Sequence, residues 1–280
     1  MATHPRKSNL DALKAIYENK DKKGNYRFWK PLKNGRYIIR FLPSYKQDGL
    51  FFRASAQYKI GDNYYWAPHA DDRPDPIYDY YRALYAKGDD ASIALAKEIK
   101  PRKQYLYNII VRDELGIPSA NPKEVKVYCS GKILYDCLMD YFFDDEYGDL
   151  TDVDNGYDFQ LVKEDGDMGF PNYKKSKPKK TSSPLFDDPE DIDEVLQNLK
   201  DLDKEIDYKT PQELKEILEE FLDTRKTTQG LVSGKTSHPS DDEEETPRPR
   251  PTAKAPSKPS DDEEYDDFEK QLLEDIEEDN

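Results

Sequence analysis

The sequence is short of the residues that most active-site chemistry needs. Three histidines and two cysteines in 280 residues leave little material for nucleophilic or metal work. Cys129 and Cys137 make no disulfide framework and fit a reducing compartment. Apolar residues reach only 35%, against about 45–50% in an ordinary globular domain. The chain is therefore not expected to share one core throughout, and part of it should be solvated tail. No apolar run approaches the roughly 18 residues of a membrane span. Met1 to Lys7 leads into no apolar segment of the kind that marks a secretory signal. The expectation is a soluble intracellular protein.

The enzyme motifs fail one by one. Gly131-Lys132 lacks the upstream glycine and the following Ser/Thr of a phosphate loop. His4 sits in an N-terminal arm and His238 in a linker, and His69 reads as a surface or turn histidine. Asp71, Asp72, Asp75 and Asp79 resemble a two-metal cluster only on paper. Pro74 and Pro76 make that stretch a turn whose carboxylates diverge. Asp152-Val153-Asp154-Asn155-Gly156 has the wrong ligand register for a calcium loop and no closing Glu, so a turn is expected. Cys129 and Cys137 read as small buried hydrophobes. No catalytic residue and no metal site emerge.

What is present is asymmetry. The formal net charge of −16 divides into +4 over residues 1–186, −9 over 187–234 and −11 over 235–280, while residues 1–60 alone carry +10. Nineteen of 21 tyrosines and both tryptophans lie in the first 186 residues. An aromatic, basic-faced front is joined to an acidic rear, and blocks of like charge usually mark interaction tails.

Hydrophobic spacing outlines the elements. Leu10, Leu13, Ile16 and Tyr17 recur at helical spacing behind a basic arm, 1–20. Phe28 to Pro31 and Arg36 to Leu42 read as strands, and Phe51–Ile60 with Tyr64–Ala67 as a hairpin around Gly61-Asp62-Asn63. Ile77 to Ile99 predicts one or two helices broken near Gly88. Tyr105–Val111, Glu124–Tyr128 and Tyr157–Val162 are further strands. Between the last two, Gly131 to Phe143 predicts a helix with Ile133, Leu134, Cys137, Leu138 and Tyr141 on one face. Short strands with one late helix suit a mainly β fold, a small Greek-key barrel, over 21–186 with an inserted subdomain at about 60–100. Asp191–Leu202 and Pro211–Arg225 predict two amphipathic helices in an extension over 187–225, Thr210 capping the second. Residues 226–280 read as a disordered linker and acidic tail, with Phe268, Leu272, Leu273 and Ile276 on one helical stripe.

The constellation that survives is aromatic plus basic. Lys100, Arg102 and Lys103 precede the alternating Tyr105 and Tyr107; Tyr128 stands before Lys132; Phe170 and Tyr173 run into Lys174 and Lys175. Single-stranded nucleic acid needs that pairing, because bases stack on flat rings while cations track the phosphates. The same pattern arises when tyrosines alternate with core residues on ordinary strands. Composition and spacing alone do not decide between the two.

At these residues the sequence resembles the single-stranded DNA-binding (helix-destabilising) proteins of T4-like phages, through most of 6–186. The resemblance runs along Arg40-Phe41-Leu42-Pro43-Ser44, then Arg102 to Val111, then Val127-Tyr128-Cys129-Ser130-Gly131-Lys132, then Gly169 to Lys177. It implies an OB-fold core, a five-stranded Greek-key barrel, that binds single strands without sequence preference. Arg102, Lys103, Tyr105, Tyr128, Phe170 and Tyr173 would face DNA. It implies cooperative contact between copies through the arm, here Arg6, Lys7 and Ser8. It implies an acidic tail that recruits replication, recombination and repair proteins, among them a polymerase, a helicase loader and a recombination mediator, inside an infected bacterium. The best-known member also binds zinc through one His and three Cys ahead of the basic motif. Here His69 to Leu84 holds no cysteine, and Asp75 and Tyr78 stand where two thiols are expected. No zinc is therefore expected, with Ile77, Tyr81, Leu84 and Tyr85 as an apolar substitute. The competing reading, from another class, is an acidic scaffold whose front half binds RNA or protein.

Overall fold

The computed structural model describes residues 27–47, 49–166 and 171–233. The arm residues Arg6, Lys7 and Ser8, the helix expected from Leu10 to Tyr17, Phe170, and the tail stripe Phe268, Leu272, Leu273 and Ile276 lie outside that range. The protein is mainly β, with a curled antiparallel sheet, five α-helices and one short 3-10 helix (Pro68–Asp71) among the described residues. The strands are β1 (Gly35–Phe41), β2 (Phe52–Ile60), β3 (Asn63–Trp66), β4 (Arg102–Glu114), β5 (Ile117–Pro118), β6 (Lys126–Gly131), β7 (Phe159–Asp165), β8 (Pro171–Asn172) and β9 (Lys177–Pro178). The helices are α1 (Pro76–Lys87), α2 (Asp90–Ile99), α3 (Lys132–Phe142), α4 (Pro189–Gln197) and α5 (Pro211–Ser233).

The chain divides into two bodies: a β body of 27–59, 63–74 and 101–209, and a helical body of 60–62, 75–100 and 210–233. In the β body the strands run β3-β2-β4-β1-β7-β8, with β5 and β6 also on β4 and β9 on β7. β4 is the pivot because it is long enough to serve several partners. Residues 102–107 pair with β2, 104–109 with β6, and 109–114 with β1. β1 shifts register between Ile38 and Ile39 against β4. A bulge of that kind bends a strand and tightens its twist, which curls the sheet here.

Period-2 alternation sorts β4 onto two cores. Tyr105, Tyr107, Ile109 and Val111 join Tyr37, Ile39, Phe41, Tyr128, Phe159 and Leu161 on one side, beneath Leu134 and Leu138 of α3. On the other side Ile110 packs with Leu42, Val125, Leu185 and Val195, and Leu106 with Trp66, Val127, Leu202 and Ile206. Both faces of the sheet are therefore covered. Ile133, expected on the buried face of α3, is 48% exposed, because the helix centres on the i, i+4 pair Leu134 and Leu138.

Two further expectations change. Phe28 to Pro31 forms no strand beside β1; Trp29 makes one isolated parallel bridge to Tyr128. The helix expected over 191–202 ends at Gln197. The buried Asn108 side chain donates to the Lys200 carbonyl at 2.9 Å and accepts from the Lys200 amide at 3.0 Å. That pair takes the backbone out of helical geometry and lays Leu202 and Ile206 on the sheet. Residues 187–209 thus pack in the β body, whereas 210–233 group with 75–100.

Buried Arg40 organises the loop before β7, donating to the Asp152 and Ser183 carbonyls at 2.9 Å each. Burial lowers its pKa, with Asp158 opposing that effect. A Cβ on Gly156 would sit 2.3 Å from the Asp152 carbonyl and 2.7 Å from the guanidinium, so only glycine fits there. Asp152 accepts from the Asp154 and Asn155 amides at 2.8 Å each, a turn as the sequence predicted.

Candidate nucleic-acid interface

Most of the aromatic and basic residues singled out in the sequence fall into two groups on the β body. The first surrounds the start of β4. Lys103 and Tyr105 share a sheet face, where Lys103 pairs with Ala56, and Tyr105 with Ala54 and Ser130. Lys103 is exposed. The Tyr105 ring lies flat on Tyr135 of α3, centroids 3.8 Å apart at 7°. Phe52 meets the edges of both rings at 5.9 and 5.1 Å. Lys132 opens α3 and holds Asp136 at 2.7 Å. The Lys132 ammonium and the Tyr135 ring stand one helical turn apart, so a cation and a half-buried ring face are neighbours. Arg102 falls on the opposite face by strand alternation, and Lys100 belongs to the helical body.

Tyr107 and Tyr128 lie lower and turn inward. Tyr107 is fully buried, its phenol pushed well up by burial, with Ser130 Oγ donating to it at 3.5 Å. Tyr128 is 2% exposed and its phenol is likewise pushed well up by burial. Neither ring presents an open face in this conformation, which corrects the expectation for both: they support the site from beneath. The aromatic ledge extends through residues the spacing argument missed. Phe51 stacks on Phe142 at 4.5 Å and 20°, and Leu50 and Phe143 beside them are 66% and 83% exposed. The Phe51-Phe52 doublet ahead of Arg53, and Tyr135 one turn from Lys132, were the available signals.

The second group sits where β7, β8 and the Trp29 segment meet. Half-buried Tyr173 has its phenol pushed up to about 12 by burial, and it interacts with the Tyr128 phenol, which works in the opposite direction. Trp29 packs edge-on against Tyr128 at 5.2 Å and Tyr37 at 5.9 Å. Lys174 and Lys175 are exposed, Lys175 holding Glu164 at 2.8 Å, and Lys177, Lys179 and Lys180 continue the basic run.

Elsewhere on the β body, Arg53, Asp71, Arg73, Asp203, Ile206, Asp207 and Tyr208 line an open polar cavity of about 520 Å³. Arg53 is bound to Asp71 and to Asp203, and Arg73 lies over the Tyr208 ring at 4.9 Å. Three carboxylates against two guanidiniums do not suit a phosphate. The two aromatic groups are the better nucleic-acid surface.

The β body is a curled antiparallel sheet that carries stacked rings beside exposed lysines. Residues 33–223 match the family described as gp32 DNA binding protein like, and the chain belongs to that family of DNA-binding proteins. No curated protein matches the chain. Among the described residues no helix is long and apolar enough to cross a membrane.

Proposed function

We propose that this protein binds single-stranded DNA with little sequence preference, through a ledge of half-buried Tyr135 and Phe52, backed from beneath by Tyr105 (7% exposed), with Lys103 and Lys132, continued by Tyr173, Lys174 and Lys175. The observation that carries the reading is the Tyr105–Tyr135 stack beside exposed Lys103, in a chain whose family binds DNA. Every base has a π-face, so stacking tolerates any sequence, while duplex DNA hides those faces. Binding the melted state alone destabilises helices by mass action. On this reading the curled sheet is an OB-fold. The arm at Arg6, Lys7 and Ser8 links copies along the strand. The tail stripe Phe268, Leu272, Leu273 and Ile276 recruits replication, recombination and repair proteins in a phage-infected bacterium.

Titration of the protein's fluorescence with poly(dT), duplex DNA and single-stranded RNA over a range of salt tests the assignment. The expected result is quenching by poly(dT), little response to duplex, and a log–log salt slope of about −0.7 per phosphate neutralised. Equal or absent response to all three would move the assignment to the acidic scaffold, which the net charge of −16 favours.

A further inference from the structure

The helical body rests on elements that do not stand alone. α1 and α2 have 12 and 10 residues, at or below the roughly 12–15 at which isolated helices are marginal in water. Their ends are well made. Asp75 caps α1, accepting from the Ile77 and Tyr78 amides at 3.1 and 3.2 Å, and Asp89 caps α2, accepting from the Ser92 amide at 2.9 Å. Caps of this kind contribute about 1 kcal/mol each, too little to hold two short helices together. Ile77, Tyr81 and Leu84 on α1, and Ala96 and Ile99 on α2, are nonetheless buried.

The cover comes from residue 211 onward. Leu214 and Leu218 of α5 are buried, with Ile217, Phe221 and Leu222 half-buried on the same stripe. α5 packs on α1, and Arg225 pairs with Glu98 of α2. Its start is fixed by a reciprocal cap: the Glu213 amide donates to Thr210 Oγ1 at 3.2 Å and the Thr210 amide to Glu213 Oε2 at 2.8 Å.

A zinc clip, which the family resemblance raises, does not fit these donors. The Asp75 carboxylate is committed to two amides, and the Tyr78 ring stacks on Tyr81 at 5.9 Å. The chain's two thiols lie in the β body, on β6 and α3, where burial pushes Cys129 up to about 12 and Cys137 to about 11. Neither is the thiolate that zinc binds.

We propose that α5 is the clip of the helical body: it supplies the apolar seam that folds 75–100, and that seam takes the place of a metal ion. Residues 75–100 then fold only in a chain that extends through about Arg225.

Hydrogen exchange on the full-length protein tests this. Leu214→Ala is expected to cut amide protection over 76–99 roughly 30-fold or more, with β1 and β4 unchanged. The exposed-site control Glu219→Ala leaves protection intact. If Leu214→Ala does not fold, Leu218→Val is expected to give a smaller loss in the same segment. A chelator leaves protection over 76–99 unchanged, and elemental analysis finds zinc well below one per chain. Unchanged protection in both α5 variants overturns the proposal. So does loss of protection on chelation alone, or one zinc per purified chain. None of these readouts involves DNA, so the proposal stands or falls separately from single-strand binding.

Discussion

Tyr105, Tyr107 and Tyr135 show how little side-chain identity says about role. All three are tyrosines near cations in the sequence, yet Tyr107 is fully buried beneath Phe41 and Phe51 and Tyr105 is 7% exposed beneath Tyr135, while Tyr135 keeps part of its ring at the surface. Removing each should have opposite signatures. Tyr107→Ala opens a cavity in the main core and should destabilise by about 3–5 kcal/mol in denaturant unfolding. Tyr135→Ala removes the ring that lies on Tyr105, so it should cost only about 1 kcal/mol of stability, well short of Tyr107→Ala, and weaken poly(dT) binding by about 1–3 kcal/mol, the worth of one stacked base. Equal loss of stability in both variants would place Tyr135 in the core and remove it from the site. The pair was indistinguishable in sequence because strand and helix periodicity place a ring on a face without saying what covers that face.

At the scale of elements, local chemistry set the helices and distant packing set their limits. The turn Gly61-Asp62-Asn63, the Gly88 break and the Thr210–Glu213 cap all lie in short windows of sequence, and the structure contains each of them. The end of α4 at Gln197 was not legible, because it depends on Asn108 of β4. The turn that follows is pinned by Asp203, which Lys46 and Arg53 hold from β2 and the loop before it. The Lys46 ammonium, then Arg53 and Tyr45, draw the Asp203 carboxyl below its ordinary value against a partial burial cost. A depressed folded-state pKa contributes stability above the unfolded carboxylate range near 3.9 and loses it as pH falls through the folded value. Asp203→Asn should therefore lower Tm at pH 6, and the gap to the unaltered protein should close as the pH falls through the depressed folded-state value of the carboxyl. A gap that persists at low pH would mean that the side chain acts by packing rather than charge.

At the scale of the molecule, the charge split governs behaviour. The front 186 residues carry +4 and residues 235–280 carry −11, so the tail is a polyanion tethered to a DNA-binding body. We predict that deleting 235–280 tightens poly(dT) binding at low salt, and that the gain fades as salt screens the tail over about 10 Å at 0.1 M. Unchanged low-salt affinity in the truncated protein would leave the tail with partner recruitment alone.

The sequence by itself determined the mainly β class, the positions of most strands, the Thr210 cap, and the division into a basic aromatic front and an acidic rear, while the resemblance of its motifs pointed to the family. The former follow from local periodicity, turn chemistry and net charge, which need no knowledge of distant neighbours. The tertiary structure alone decided which aromatics are core and which form a ledge, that Arg102 and Lys103 part to opposite faces, and that 187–209 and 210–227 belong to different bodies. Those outcomes depend on what packs over each face, α3 and residues 185–208 on the two sides of β4 and α5 on α1. Burial by segments far away in the chain leaves no periodic mark on the residues it covers.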